Sequence, residues 1–121
     1  MIDHIGISVT DLATSLAFYE RALAPLGYTV MMKHDHFAGL GTGGKPDFWI
    51  GVGDKTRVHV AFRAKGRADV RAFYEAAIAA GGKDNGPPGI RAMYHPEYYG
   101  AFVLDPDGHN IEAVCHEPYL G

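Results

Sequence analysis

The chain has 121 residues, of which 47% are hydrophobic and 21% charged, with a formal net charge of -3. This length suits one domain with its own core, and the charge lacks the basic excess that nucleic acids and anionic membranes attract. We expect neither as a partner. The start, MIDHIGISV, has no basic segment before an apolar run, and no apolar run approaches the roughly 20 residues that span a bilayer. A cytoplasmic protein is therefore expected.

The first elements are read from apolar periodicity. The segment DHIGISV alternates aliphatic residues with His4, Gly6 and Ser8, which predicts a strand with one polar face. Apolar residues at helical spacing follow, and the helix should stop at Pro25 to Gly27. Three short strands are then predicted, at YTVMMK, HFAGLG and DFWIGV.

The second half of the chain repeats this order. A slide of 55 positions places His4 on His59, and the FYE of residues 18–20 on the FYE of residues 73–75. Later in each half, a slide of 63 aligns GTGGKPDFWIG with LDPDGHNIEAV, which pairs Trp49 with Glu112. The second copy is thus longer by eight residues, which we place around GPPGIRAMYHPEYY. Its strands are predicted at RVHVAFR, RAMYH, YGAFVL and NIEAVC.

The repeat predicts an α+β fold of two βαβββ modules that form a curved mixed sheet. Residues 1–121 make a single domain, with modules at about 1–54 and 55–121. Aliphatic strand faces would pack under the two helices, and the opposite faces would form a concave surface. The polar or wall-forming residues expected on that surface are His4, Gly6, Ser8, Asp47, Trp49, His59, Asn110 and Glu112.

Glu112 is an unexpected residue in an otherwise apolar strand. If a local two-fold axis relates the modules, His4 and His59 are mates and converge with Glu112 near the axis. Two imidazoles and one carboxylate form the facial set that leaves positions open on Fe(II), and the same set suits Mn, Zn or Ni. We therefore predict a divalent metal held by His4, His59 and Glu112. Without a metal, a buried carboxylate would need other partners.

These motifs resemble the vicinal oxygen chelate superfamily, also called the glyoxalase, bleomycin resistance and extradiol dioxygenase superfamily. The resemblance rests on DHIGISV, on the FYE helix and on DPDGHNIEAV, and it covers nearly the whole chain. It implies a paired βαβββ fold, a divalent metal on the concave sheet and a substrate that chelates the metal through neighbouring oxygens. His4, His59 and Glu112 match the family's ligands. Trp49 departs from the glutamate or glutamine that glyoxalase I enzymes commonly have there.

Further site residues are predicted around this centre. His95, Tyr98 and Tyr99, in the extra length of the second module, are candidates for general acid, general base or ring-stacking roles. The alternative is a Pro-rich surface loop. Trp49 and Ser8 would line the substrate pocket, and Arg57 and Arg63 could neutralise an anionic substrate. A surface or turn position is expected for His34, His36, His109 and His116, and a buried apolar one for Cys115.

Two classes of function stay open at this stage. A metal-dependent enzyme would polarise an oxygen of a small substrate in lyase, isomerase, dioxygenase or thiol-transfer chemistry. A metal-free protein of the bleomycin resistance type would bind a planar drug or metabolite in the same cavity. The open sheet edges lead us to expect a homodimer with the site near the subunit boundary.

Overall fold

The first module begins with a strand and a helix that share one buried face. The computed structural model describes residues 2–54 and 56–118. Strand β1 (Ile5–Val9) leads into helix α1 (Leu12–Leu23), which Asp11 caps by accepting from the Thr14 amide. A 3-10 turn, Ala24–Leu26, ends at Gly27 in the left-handed region. Strands β2 (Thr29–Lys33), β3 (Phe37–Gly41) and β4 (Phe48–Val52) complete a mixed sheet in the order β1-β4-β3-β2.

The second module repeats this topology. It contains β5 (His59–Arg63), α2 (Arg67–Ala79), β6 (Lys83–Ile90), β7 (Tyr99–Leu104) and β8 (Asn110–Cys115), and its sheet order is β5-β8-β7-β6. Strand pairing follows both sequence offsets. Gly6 and Gly39 flank Trp49 in the first sheet, and Ala61 and Phe102 flank Glu112 in the second. The α+β class with two βαβββ modules is confirmed, and the eight strands divide into two sheets of four.

One predicted strand is wrong. The segment RAMYH, residues 91–95, lies in a turn-rich connection, and the strand before it is β6, which contains Pro87 and Pro88. Proline cannot donate to a sheet ladder, so this composition did not indicate a strand. β6 is an edge strand with register shifts at Gly86, where proline is tolerated. The longer strand and the longer connection together contain the eight extra residues of the second module.

A single apolar core lies under the two helices. Helix α1 contributes Phe18, Tyr19 and Leu23 to it, and α2 contributes Val70 and Phe73. The strand residues that alternate inward complete the core, and Cys115 is buried among them as expected. Across the described residues, none of the helices has the length and apolar character needed to cross a membrane.

The turn between β7 and β8 joins the two modules through buried polar groups. The Asp105 carboxylate accepts from the Tyr19 hydroxyl at 2.5 Å, and Asp107 accepts from the Thr10 amide and hydroxyl at 3.1 and 2.6 Å. His109 belongs to this turn, one of the two positions expected for it, but its ring is fully buried and not at the surface. Its Nδ1 accepts from the Val58 amide at 3.0 Å, and its Nε2 donates to the Ser8 carbonyl at 2.7 Å.

Candidate functional site

Glu112 lies on the sheet face opposite the helices, yet only 1% of it is exposed. Its neighbours across the sheet are Ala61 and Phe102. Oε1 lies 3.1 Å from Nε2 of His59, and Oε2 accepts a hydrogen bond from the Tyr98 hydroxyl. A buried carboxylate is tolerated only with such partners. The second module therefore has a polar centre in the middle of its concave face.

The ring of His59 is held in one orientation. Nδ1 lies 3.0 Å from the carbonyl oxygen of Asn110, and because a carbonyl only accepts, Nδ1 carries the proton and donates. Nε2 is then the ring nitrogen that faces Glu112. Metal-binding histidines commonly donate their other ring N–H to a backbone carbonyl in this way. The donor set at this position therefore fits a divalent metal.

His4 has the same kind of support but lies apart from that pair. Its Nδ1 lies 2.7 Å from a carboxylate oxygen of Asp3, and 57% of its side chain is exposed. Within residues 2–54 and 56–118, no three His, Cys, Asp or Glu side chains are grouped closely enough to hold an ion. The single chain thus brings His59 and Glu112 together and does not add His4 to them, although His4 and His59 line one cavity.

A cluster of aromatic rings lies beside Glu112. His95 Nδ1 accepts from the Glu97 amide, so Nε2 carries the proton and donates to Nδ1 of His116 at 2.6 Å. The two imidazoles stack at 4.9 Å, and the edge of Tyr98 meets both rings. Burial and the adjacent Glu112 carboxylate raise the pKa of Tyr98, so its hydroxyl keeps its proton and remains a donor. The connection between β6 and β7 is thereby attached to the site.

The first module has an aromatic wall at the equivalent place. The Trp49 ring lies against Gly39, where an added Cβ would approach it to 2.8 Å. Phe37 is tilted against Trp49 with ring centroids 5.9 Å apart. Gly6 and Ser8 lie beside them, and the open cavity on this face measures about 350 Å³. Trp49 and Ser8 therefore line one surface, and their role in a substrate pocket stays a prediction.

Two other predicted site residues, Tyr99 and Arg57, lie elsewhere, whereas Arg63 lies at the margin of the cavity that His4 and His59 line. Tyr99 packs against the core on the α2 side, with the Arg67 guanidinium 5.0 Å from its ring centre. Because strand residues alternate between faces, Tyr98 and Tyr99 cannot both reach the concave surface, and the position expected for Tyr99 is corrected. Arg57 lies near Gly108, at the turn between β7 and β8. Arg63 is exposed and pairs with Glu117 at 2.6 Å.

Comparison with known proteins agrees with this architecture. Residues 1–113 match the family model of the Glyoxalase/Bleomycin resistance protein/Dioxygenase superfamily. The chain belongs to this superfamily. Among solved structures of similar fold is a glyoxalase/bleomycin resistance protein from Albidiferax ferrireducens T118, with 27% identity and a TM-score of 0.82, covering 96% of this chain and 98% of its own. No curated protein matches the sequence.

Two more distant structures support the superfamily fold. A glyoxalase/bleomycin resistance protein/dioxygenase family enzyme from Burkholderia phytofirmans PsJN has 20% identity and a TM-score of 0.75, covering 96% of this chain and 98% of its own. A glyoxalase-related enzyme from Fulvimarina pelagi has 20% identity and a TM-score of 0.73, covering 95% of this chain and 87% of its own. At these identities the likeness concerns the fold.

Sequence reasoning missed two histidines of this superfamily member. His116 was expected at the surface or in a turn and is exposed, but its contact with His95 was not predicted. It follows Glu112 by four residues and so continues on the same strand face. That parity was the available signal. His109 had no such signal, because its burial comes from contact with the first module through the carbonyl of Ser8.

Proposed function

We propose that this chain is a divalent-metal-dependent enzyme that acts on a small oxygen-chelating substrate. The observation that carries the proposal is the orientation of the two histidines. Nδ1 of His59 is bonded to a carbonyl and Nδ1 of His4 to a carboxylate, which leaves Nε2 of each ring as the ligand nitrogen. Glu112, 3.1 Å from the first of these nitrogens, supplies the oxygen ligand.

The proposed centre is completed by a second copy of the chain. His59 and Glu112 lie together, whereas His4 is exposed on the other module. A homodimer that sets the first sheet of one copy against the second sheet of the other would bring His4 to the pair. It would also cover exposed apolar side chains of the first sheet, among them Phe37 and Val52.

The residues around this centre have definable roles. A bound divalent ion would supply Lewis-acid polarisation of a substrate oxygen. Tyr98 keeps Glu112 in position through its hydroxyl, and the His95–His116 pair buttresses the Tyr98 ring. In the proposed dimer, the aromatic wall formed by Phe37 and Trp49 would exclude water from one side of the centre. Lyase, isomerase, dioxygenase and thiol-transfer chemistry are all compatible with such a site.

The test is replacement of Glu112 by Gln. We expect the affinity for Mn(II), Fe(II), Ni(II) or Zn(II) to fall by about 100-fold or more, since a charged ligand is lost. Stability without metal should change little or rise, because the Gln oxygen can still accept from Tyr98 while its NH2 faces Nε2 of His59. Calorimetric metal titration and thermal unfolding with and without each ion measure both effects.

The matched control is Glu20→Gln, which removes the same charge from an exposed position on α1. It should leave metal affinity unchanged. Wild-type protein that binds none of the four ions, or a Glu112→Gln variant that binds them normally, would remove the metalloenzyme proposal. A variant destabilised equally with and without metal would instead assign Glu112 a structural role.

A metal-free binding protein is the second candidate. The exposed aromatic wall of Phe37 and Trp49 beside an open cavity of about 350 Å³ supports it, because planar ligands stack on such surfaces. Under this alternative, ligand affinity would depend on Trp49 and would not change when metal is removed by a chelator.

A further inference from the structure

A second cavity lies between the edge strands of the two sheets, at β1 and β5. Its volume is about 360 Å³, within the range of small-molecule sites. Ile5, Phe48, Val60 and Phe62 give it an apolar floor, and the rings of Phe48 and Phe62 meet edge to face at 5.1 Å. Polar groups occur at its margin. This combination is typical of a pocket for a ligand with an apolar body and one polar end.

Asp47 supplies an acceptor in the wall of this cavity. Its backbone is fixed, since the amide donates to the Leu40 carbonyl and the carbonyl accepts from the Ile5 amide, both at 3.0 Å. Oδ1 of its side chain is buried and accepts no hydrogen bond within the described part of the chain. A buried acceptor of this kind costs free energy unless a donor reaches it. Asp47 lines the cavity, so the donor of a ligand bound there reaches Oδ1 once the carboxylate turns toward it.

The charges around the cavity favour a cationic donor. Asp3 is bonded to Lys45 and His4, and Arg63 to Glu117, so these margin charges are already compensated. Oδ1 of Asp47 has no hydrogen-bond partner within the described ranges 2–54 and 56–118, and the Tyr28 hydroxyl lies at the same carboxylate. Burial and the neighbouring Asp47 carboxylate raise the pKa of Tyr28, which therefore stays neutral. A carboxylate with one unpaired oxygen beside an aromatic floor suits an ammonium group on an aromatic or aliphatic body.

We infer that the cavity between β1 and β5 binds a small apolar amine, with its ammonium group donating to Oδ1 of Asp47 and its apolar body lying on Phe48 and Phe62. Because His4 and His59 line the same cavity, this inference rests on the proposed function for its meaning: it adds an apolar body with an ammonium group to the oxygen-chelating substrate of the metal site. The binding itself requires no metal.

The experiment compares three matched probes on metal-free protein. These are 2-phenylethylamine, 2-phenylethanol and 3-phenylpropanoate, which share an aromatic body and differ in the charge of the polar end. We expect the amine to bind at least tenfold more tightly than the alcohol, and the carboxylate not to bind. Asp47→Asn should remove the tenfold preference, while Asp35→Asn, which changes an exposed carboxylate, should retain it. Calorimetry and NMR shifts of the Val60 and Ala61 amides provide the readout.

Other results would overturn the inference. Equal affinity for amine and alcohol in the wild-type protein would do so without any variant, and so would absence of amine binding at millimolar concentration. A metal titration of Asp47→Asn separates the two proposals. Unchanged metal affinity is expected, and its loss would make Asp47 a metal ligand instead. Amine binding by a wild-type protein that binds no metal would retain the subsite and reject the metalloenzyme.

Discussion

The two modules share a backbone plan and differ in what equivalent positions do. At the centre of the first sheet Trp49 lies between two glycines, whereas at the centre of the second Glu112 lies against Nε2 of His59 and accepts from the Tyr98 hydroxyl. The turn at Thr42–Lys45 is exposed, whereas its mate at Asp105–Gly108 is mostly buried and binds the other module. The duplicated scaffold thus keeps its topology, while the buried polar groups of the candidate site and of the turn that contacts the other module belong to the second copy.

The largest effect should come from the buried turn. Asp105→Ala removes the acceptor of the Tyr19 hydroxyl and of the Asp107 and His109 amides. Several buried donors lose their partner at about 1 to 3 kcal/mol each, with partial relaxation, so we expect a loss of about 3 to 5 kcal/mol. Urea denaturation measures the change in the free energy of unfolding.

The equivalent change in the first module is Thr42→Ala. Its side chain is exposed, and the expected change is within about 0.5 kcal/mol. Equal losses for the two variants would show that the turns contribute alike, and the asymmetry described above would be wrong.

A loss of stability smaller than that of Asp105→Ala is expected from a change on the sheet face of the first module. Gly39→Ala would place a Cβ 2.8 Å from the Trp49 ring and 2.9 Å from Pro46, which forces the ring to move and costs about 2 to 3 kcal/mol. Gly51→Ala is the control, since its Cβ would lie at an ordinary 3.6 Å from Phe37. In a Trp49→Ala background the cost of Gly39→Ala should fall, and persistence of the full cost would exclude the ring as its cause.

The smallest of the expected losses of stability concerns Tyr98, the hydrogen-bond partner of Glu112 in the second module. Tyr98→Phe removes the hydroxyl that donates to Glu112, and we expect a loss of about 1 to 2 kcal/mol in metal-free protein. Tyr94→Phe changes an exposed ring of the same connection and should be neutral. The difference is measured by thermal unfolding, and identical melting temperatures for the two variants would contradict the role assigned to Tyr98.

Much of the fold could be predicted because it depends on local periodicity and on the repeat. The two offsets agree with the structure, because the strand pairs that flank Trp49 and Glu112 are equivalent in the two modules. The strand placed at residues 91–95 was wrong because Tyr94 and His95 pack against the Tyr98 ring instead of joining the sheet. The sequence of β6 shows no strand periodicity. Its two prolines are tolerated only because β6 is an edge strand, and the edge position cannot be read from the sequence.

The candidate site was less predictable than the fold. Strand parity correctly placed Glu112, His59 and Trp49 on the face away from the helices. It did not reveal that the Tyr98 hydroxyl donates to Glu112 or that the exposed Asp3 carboxylate lies against His4. These contacts depend on side-chain rotamers and, for Tyr98, on a segment that the first module lacks. The metal-ligand set of His4, His59 and Glu112 stays a prediction.

The buried turn between β7 and β8 also bears on the order of folding. Its hydrogen bonds to Thr10, Tyr19 and the Ser8 carbonyl join residues 86 to 101 positions apart in sequence. Such distant contacts raise contact order and slow folding. During synthesis the first module emerges from the ribosome before residues 105–109. Until then Thr10, the Tyr19 hydroxyl and the Ser8 carbonyl stay hydrated. We expect the native packing of the first sheet to form only after the second module has been translated.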